Sequence, residues 1–126
     1  GYLHFDGGKF HVTDTQKKGA VILHEGKMLE GELSVNMMVK AVVDISRGVM
    51  AIGGELHADE EAILLKEGSR QEDLWGINLY PGESEDKWIE FDSMINIRPS
   101  QGNRSRNVEN SNIREKIIDV VKKLTE

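Results

Sequence analysis

The tightest constraint on the fold lies at residues 39–59, where apolar residues recur at every second position through two runs joined by a glycine-bearing triplet. In "VKAVVDI" (39–45), Val39, Ala41, Val43 and Ile45 share one side. In "VMAIGGELHAD" (49–59), Met50, Ile52, Gly54, Leu56 and Ala58 face one way, and Ala51, Gly53, Glu55, His57 and Asp59 face the other. A period of two is strand geometry, because successive side chains leave opposite faces of a sheet. Ser46-Arg47-Gly48 suits a three-residue hairpin loop with Gly at the left-handed position. The two runs therefore predict an antiparallel hairpin whose second strand runs to Asp59.

Other segments follow the same rule. "YLHFDGGKFHV" (2–12) reads as a hairpin turning at Asp6-Gly7-Gly8, and "AVILH" (20–24) as a short strand. "LWGINLY" (74–80) places Trp75, Ile77 and Leu79 on one face. "WIEFDSMINIR" (88–98) predicts a long strand, with Ile89, Phe91, Ser93, Ile95 and Ile97 inward and Glu90, Asp92, Met94, Asn96 and Arg98 outward; Pro99 ends it. On this reading Trp88 lies on the outward face, where it covers a groove or a partner surface. Residues 60–66 fit a continued strand, favoured because "KEGSRQED" looks like a hairpin connection, or a short helix capped at Asp59 and stopped at Gly68. From residue 112 the spacing turns helical: Ile113, Ile117, Val120, Val121 and Leu124 form one stripe, Asn112 and Glu115 a capping box, and Lys122 and Lys123 complement the helix dipole. The expected class is α+β, an antiparallel β-meander sheet with a C-terminal amphipathic helix packed on one face, in a single domain of residues 1–126.

Composition narrows the partners. With no cysteine, disulfides and thiolate metal sites are excluded, which fits a reducing compartment. The sequence shows neither a basic-then-apolar leader nor an apolar run long enough for a membrane span, so a cytoplasmic protein is expected; the start at Gly1 rather than Met leaves a processed segment open. A net charge of −6 disfavours nucleic acid and anionic membrane. The charge is unevenly divided: residues 55–92 hold twelve acids and three bases, a net −9, whereas residues 98–126 hold seven bases and four acids, a net +3.

Two stretches could carry chemistry. In "GGELHADEE" (53–61) a strand would place Glu55, His57 and Asp59 on one face, roughly 6–7 Å apart at successive positions. Such a set suits acid–base work, or, with His57, Asp59 and Glu61 as ligands, a divalent cation such as Mn²⁺ or Zn²⁺. A polar strand face facing solvent accounts for the same pattern. In "INIRPSQGNRSR" (95–106), Arg98, Arg104 and Arg106 fall within nine residues beside Gly102 and Asn103. Guanidinium forks and exposed backbone N–H groups match carboxylate or phosphate oxygens, with Asn96 and Asn78 alongside; pairing of these arginines with the acidic middle of the chain is the structural counterpart. His4, His11 and His24 lack a fixed close spacing and read as solvent-facing strand residues.

Residues 38–126, through "VKAVVDI", "GGELHADEE", "EGSRQEDLWGINLYP", "IEFDSMINIRPSQGNRSR" and "IREKIIDVVKKL", resemble a small family of uncharacterised prokaryotic proteins known as a domain of unknown function. The resemblance implies a cytoplasmic prokaryotic protein and no established activity. It also implies a helical lead-in before "VKAVVDI"; residues 1–37 read instead as a variable, β-rich segment. Three functions stay open. One is a binding protein capturing a small phosphate- or carboxylate-bearing ligand at the arginine loop. The second is a metal-assisted hydrolase or phosphoryl-transfer enzyme using Glu55, His57 and Asp59. The third is a non-enzymatic interaction subunit, with a homo-oligomer as its expected form.

Overall fold

The computed structural model describes residues 2–3, 21–24, 33–34 and 38–125. The hairpin expected over 2–12 lies outside these residues, apart from strand β1 (Tyr2–Leu3), which pairs antiparallel with β3 (Leu33–Ser34). The main sheet has five antiparallel strands in the order β2-β5-β4-β6-β7: β2 (Val21–Leu23), β5 (Val49–Ile52), β4 (Val39–Asp44), β6 (Leu74–Leu79) and β7 (Ile89–Glu90). The hairpin of β4 and β5 forms as expected. Gly48 takes φ +67°, and the buried Asp44 carboxylate accepts from the backbone N–H groups of Ser46 and Arg47 and from the Ser69 hydroxyl. β6 pairs with the far side of β4, so helix α1 (His57–Lys66) crosses over β4 on its way from β5 to β6.

Helices cover both faces of this sheet, and this changes what the alternation means. Helix α2 (Ser111–Thr125) buries Ile117, Val120, Val121 and Leu124 against Ala41, Val43, Met50, Ile52, Trp75, Ile77 and Leu79. On the opposite face Leu64 of α1 packs with Val42, Val49, Ala51 and Leu74. The two residue parities of β4 and β6 thus feed two cores rather than a core and solvent. The architecture is the expected α+β class, an antiparallel sheet with the C-terminal helix on one face and a second helix on the other.

Several local expectations are corrected. The strand predicted through Asp59 stops at Ile52, because Gly53 takes φ +86° and turns the chain out of the ladder. Residues 57–66, favoured as strand over 60–66, are helical; Asp59 lies in the first turn, where its charge suits the positive end of the helix dipole, and the buried Leu64 anchors the apolar side. The long strand predicted over 88–98 is only Ile89–Glu90, followed by 3-10 turns at Met94–Asn96 and Pro99–Gln101. Here the Ser93 hydroxyl accepts from the N–H of Ile95, and the Asn96 amide replaces the strand. Its Oδ1 accepts from Gly76 N–H (2.8 Å) and its Nδ2 donates to Gly76 O (2.9 Å). Asn96 and Asn78, expected outward, are buried; Ile97, expected inward, is exposed. Trp88, also expected outward, packs on the α2-side core and donates its indole N–H to Pro81 O. The cap of α2 is Asn110, whose Oδ1 accepts from the N–H groups of Asn112 and Ile113, in place of the expected Asn112–Glu115 box.

Candidate functional site

The α1-facing side of the sheet is apolar at one end and polar at the other. Strand register produces the polar end. Lys40 of β4 stands opposite Asn78 of β6, which stands opposite Glu90 of β7. These positions share a parity with Val42 and Leu74, so the row lies on the α1 side. Above it is the first turn of α1, where His57 and Glu60, three residues apart, occupy one flank of the helix. Asp92 and Arg106 enter from the chain beyond β7, joined by an Nε–Oδ1 bond of 2.5 Å.

Each group in this cluster has a defined state. His57 Nε2 lies 2.7 Å from the carbonyl oxygen of Ile77. A carbonyl only accepts, so Nε2 carries the hydrogen and Nδ1 keeps the lone pair of the neutral ring. Burial pulls the His57 pKa below its ordinary value; the Ile77 carbonyl and Asp92 oppose this, while Lys40 and Arg106 reinforce it. Glu60 is fully buried, and burial pushes its carboxyl up to about 9 against the opposing pull of the Gly54 N–H and Lys40. Its Oε2 accepts from Gly54 N–H at 3.1 Å, and Oε1 has no partner among the described residues. At neutral pH the flank therefore presents a protonated carboxylic acid and a neutral imidazole, one group able to give a proton and one able to take it. Asn78 Nδ2 donates to Glu90 Oε1 (2.9 Å) and to Asp92 O (3.2 Å). Both partners are acceptors, which fixes the amide orientation and leaves Oδ1, buried and unpartnered, as an acceptor without a donor. The Tyr80 hydroxyl donates to the same Glu90 oxygen, and that bond pushes the Tyr80 pKa up.

The residues expected to carry chemistry separate. His57, Asn78 and Arg106 belong to this cluster. Glu55 is exposed in the turn before α1, and Asp59 is exposed two helical positions from His57, hence on another side of the helix. Glu61 sits toward Arg98, whose charge opposes the burial that raises its pKa. Among the described residues no group of three or more His, Cys, Asp or Glu side chains is placed to hold a metal ion.

The arginine loop also divides. Arg98 lies 4.1 Å over the Trp75 ring and donates to the carbonyls of Gln71 and Leu74 and to Gln101 Oε1. Asn103 Nδ2 holds the loop closed through the carbonyls of Asn96, Ser105 and Asn107. The N–H groups of Arg104 and Ser105 and the Ser105 hydroxyl converge on one side chain of the loop itself. Glu109 Oε2 accepts from all three at 2.7–3.0 Å, and these bonds hold the Glu109 carboxyl below its ordinary range.

Sequence reasoning missed Lys40, Glu60 and Glu90. Lys40 had a signal, as the one cation inside an apolar run. Glu60 had another, since His57, Glu60 and Leu64 fall at helical spacing.

Comparison with known proteins gives one family and one partial likeness. The chain is 42% identical to the alanine–tRNA ligase of Coxiella burnetii over 71 residues, which is 56% of this chain and 8% of the ligase. It is 52% identical to that of Chromohalobacter salexigens over 46 residues, 36% of this chain and 5% of the ligase. For the Haemophilus influenzae enzyme the figures are 47% over 47 residues, 37% and 5%. The chain thus spans less than a tenth of the length of these relatives. No solved structure matches. Residues 22–124 match the family described as protein of unknown function (DUF5674), and the chain belongs to that family.

Proposed function

We propose that this is a small cytoplasmic ligand-binding protein whose ligand seats a carboxylate or phosphate group between Lys40 and Arg106, at the polar end of the α1 layer. The observation that supports this reading is Lys40. It is half-buried, stands in the row with Asn78 and Glu90, and its side chain makes no hydrogen bond or ion pair among the described residues. The carboxyl its charge acts on, Glu60, is held protonated by burial, and a partly desolvated cation with no ionised carboxylate bonded to it favours an anion from outside. Arg106 supports it, because its one side-chain bond among the described residues uses Nε and leaves the terminal N–H groups for a ligand. The 104–105 nest is a poorer seat, since Glu109 already fills it.

The similarity to alanine–tRNA ligases does not extend this proposal to tRNA. The shared segment is 8% of the Coxiella burnetii enzyme, and a net charge of −6 opposes a phosphate backbone.

The test is thermal denaturation across a panel of carboxylates and phosphates, on the wild type and on Lys40→Met, Arg106→Ala and Arg104→Ala. A binder at ten times its Kd should raise Tm by about 4 °C, and the rise should vanish in Lys40→Met and shrink in Arg106→Ala while surviving in Arg104→Ala. A rise lost only in Arg104→Ala would move the site to the loop and contradict the proposal.

A further inference from the structure

The polar end of the α1 layer contains more than a cation. Asn78 is 7% exposed, and its Oδ1 is an acceptor that no described group satisfies. A buried amide oxygen without a donor is costly, which makes such an atom a pointer to something absent. Its setting is specific. On one side in the row stands Lys40, and on the other Glu90, with only Oε1 of Glu90 engaged, by Asn78 and Tyr80. The Asp92 carboxylate is close behind, bonded through Oδ1 to Arg106, and the His57 Nδ1 lone pair belongs to the same cluster. Lys40 on β4 and Arg106 from beyond β7 therefore flank the row as cationic donors. Between them lie the acceptors, Asn78 Oδ1 and the Glu90 and Asp92 carboxylates.

We infer that the ligand is zwitterionic, of the α-amino acid class, with its carboxylate on Lys40 and Arg106 and its ammonium group on Asn78 Oδ1 beside Glu90. This deepens the proposed anion site and rests on it. A simple anion would satisfy the cations, leave Asn78 Oδ1 without a donor, and bring its charge toward Glu90 and Asp92. An ammonium group supplies the donor and meets those carboxylates with opposite charge. The size of the row favours a short amino acid, since Lys40 and Asn78 are adjacent strand positions, about 5 Å apart across the ladder.

The experiment uses the whole chain and matched probes: L-alanine, propionate (no ammonium), L-alanine methyl ester (no carboxylate) and inorganic phosphate, followed by calorimetry. L-alanine should bind, with propionate and the methyl ester each weaker by about ten-fold or more, the loss expected for one charged hydrogen-bonding group. Lys40→Met should remove L-alanine binding, and Asn78→Leu should bring L-alanine down to the level of propionate. Should Asn78→Leu fail to fold, the wild-type ratio of L-alanine to propionate decides alone. Equal binding of propionate, phosphate and L-alanine, all lost in Lys40→Met, would overturn the zwitterion and leave the anion site standing. Absence of binding by every probe, to about 10 mM, would overturn both and leave Asn78 Oδ1 to a buried water.

Discussion

Replacing Glu60 with Gln is expected to flatten the pH dependence of stability on the alkaline side and to make the protein more stable than the wild type at pH 8. The cause is burial: Glu60 is fully enclosed beneath α1, and its carboxyl is pushed from 4.5 to about 9. The folded state then holds a proton that the unfolded chain releases. Stability is full below pH 4.5, falls as pH rises, and has lost the whole contribution once pH passes about 9. At pH 7 the wild type has already lost about 3 kcal/mol of it, a large share of the net stability of a domain this size. Gln keeps an oxygen for the Gly54 N–H and has no proton to lose. Urea denaturation between pH 5 and 9 checks this. Above pH 6.5 the wild-type midpoint should fall, and that of Glu60→Gln should not. His57 acts in the opposite sense, because its lowered pKa removes stability as pH falls through the imidazole range, so below pH 6.5 the wild-type profile should flatten while that of the variant drops. Parallel profiles for the two proteins would mean that Glu60 is ionised in the fold.

Asn96→Ala should cost about 4 kcal/mol, the second large effect. Asn96 is fully buried, and its amide bonds both the N–H and the C=O of Gly76 and also the Arg106 carbonyl. Truncation leaves a central strand with two unpaired backbone groups, each costing about 1–3 kcal/mol, and a void besides. Chemical denaturation measures the loss, which should exceed that of any single exposed residue of the 97–106 loop. Gly76 belongs to the same device: a Cβ there would lie 2.5 Å from Ser93 Cβ and Oγ, so the chain from 93 to 96 can approach β6 only because that residue is Gly.

These two residues also show where the sequence is legible. The β4–β5 hairpin could be read because Val39, Ala41 and Val43 alternate and Gly48 supplies the turn. Helix α2 could be read because Ile117, Val120, Val121 and Leu124 repeat at helical spacing and face one core. The run 88–98 alternates just as clearly and is still not a strand beyond Glu90. An amide side chain performs the hydrogen bonding of a strand there, and no local periodicity encodes that substitution. "GGELHADEE" misleads for a related reason. Its alternation continues past Gly53, whose positive φ ends the strand, so a residue pattern of period two overlies a helix start.

The site was legible in part. His57 stood out by residue type, and Asn78 and Arg106 by position. Their convergence depends on the β4–β6–β7 register and on α1 crossing over β4, neither of which composition specifies. Glu55 and Asp59 left the set for the same reason that Glu60 joined it: on a helix, the neighbour of His57 is three residues on, not two. Arg98 and Arg104 resembled ligand residues because of their number, while the fold uses Arg98 to cover Trp75 and gives the Arg104 N–H to Glu109.

The most direct test of the Lys40–Asn78–Arg106 site is an NMR titration of the labelled protein, in turn with inorganic phosphate and L-alanine. The signals to follow are the Asn78 side-chain amide, the Lys40 backbone amide and the His57 ring. These three should move together along one saturable curve, with Arg104 and Ser105 still. Shifts confined to Arg104, Ser105 and Glu109, or no shift at any of these positions with either probe, would contradict it.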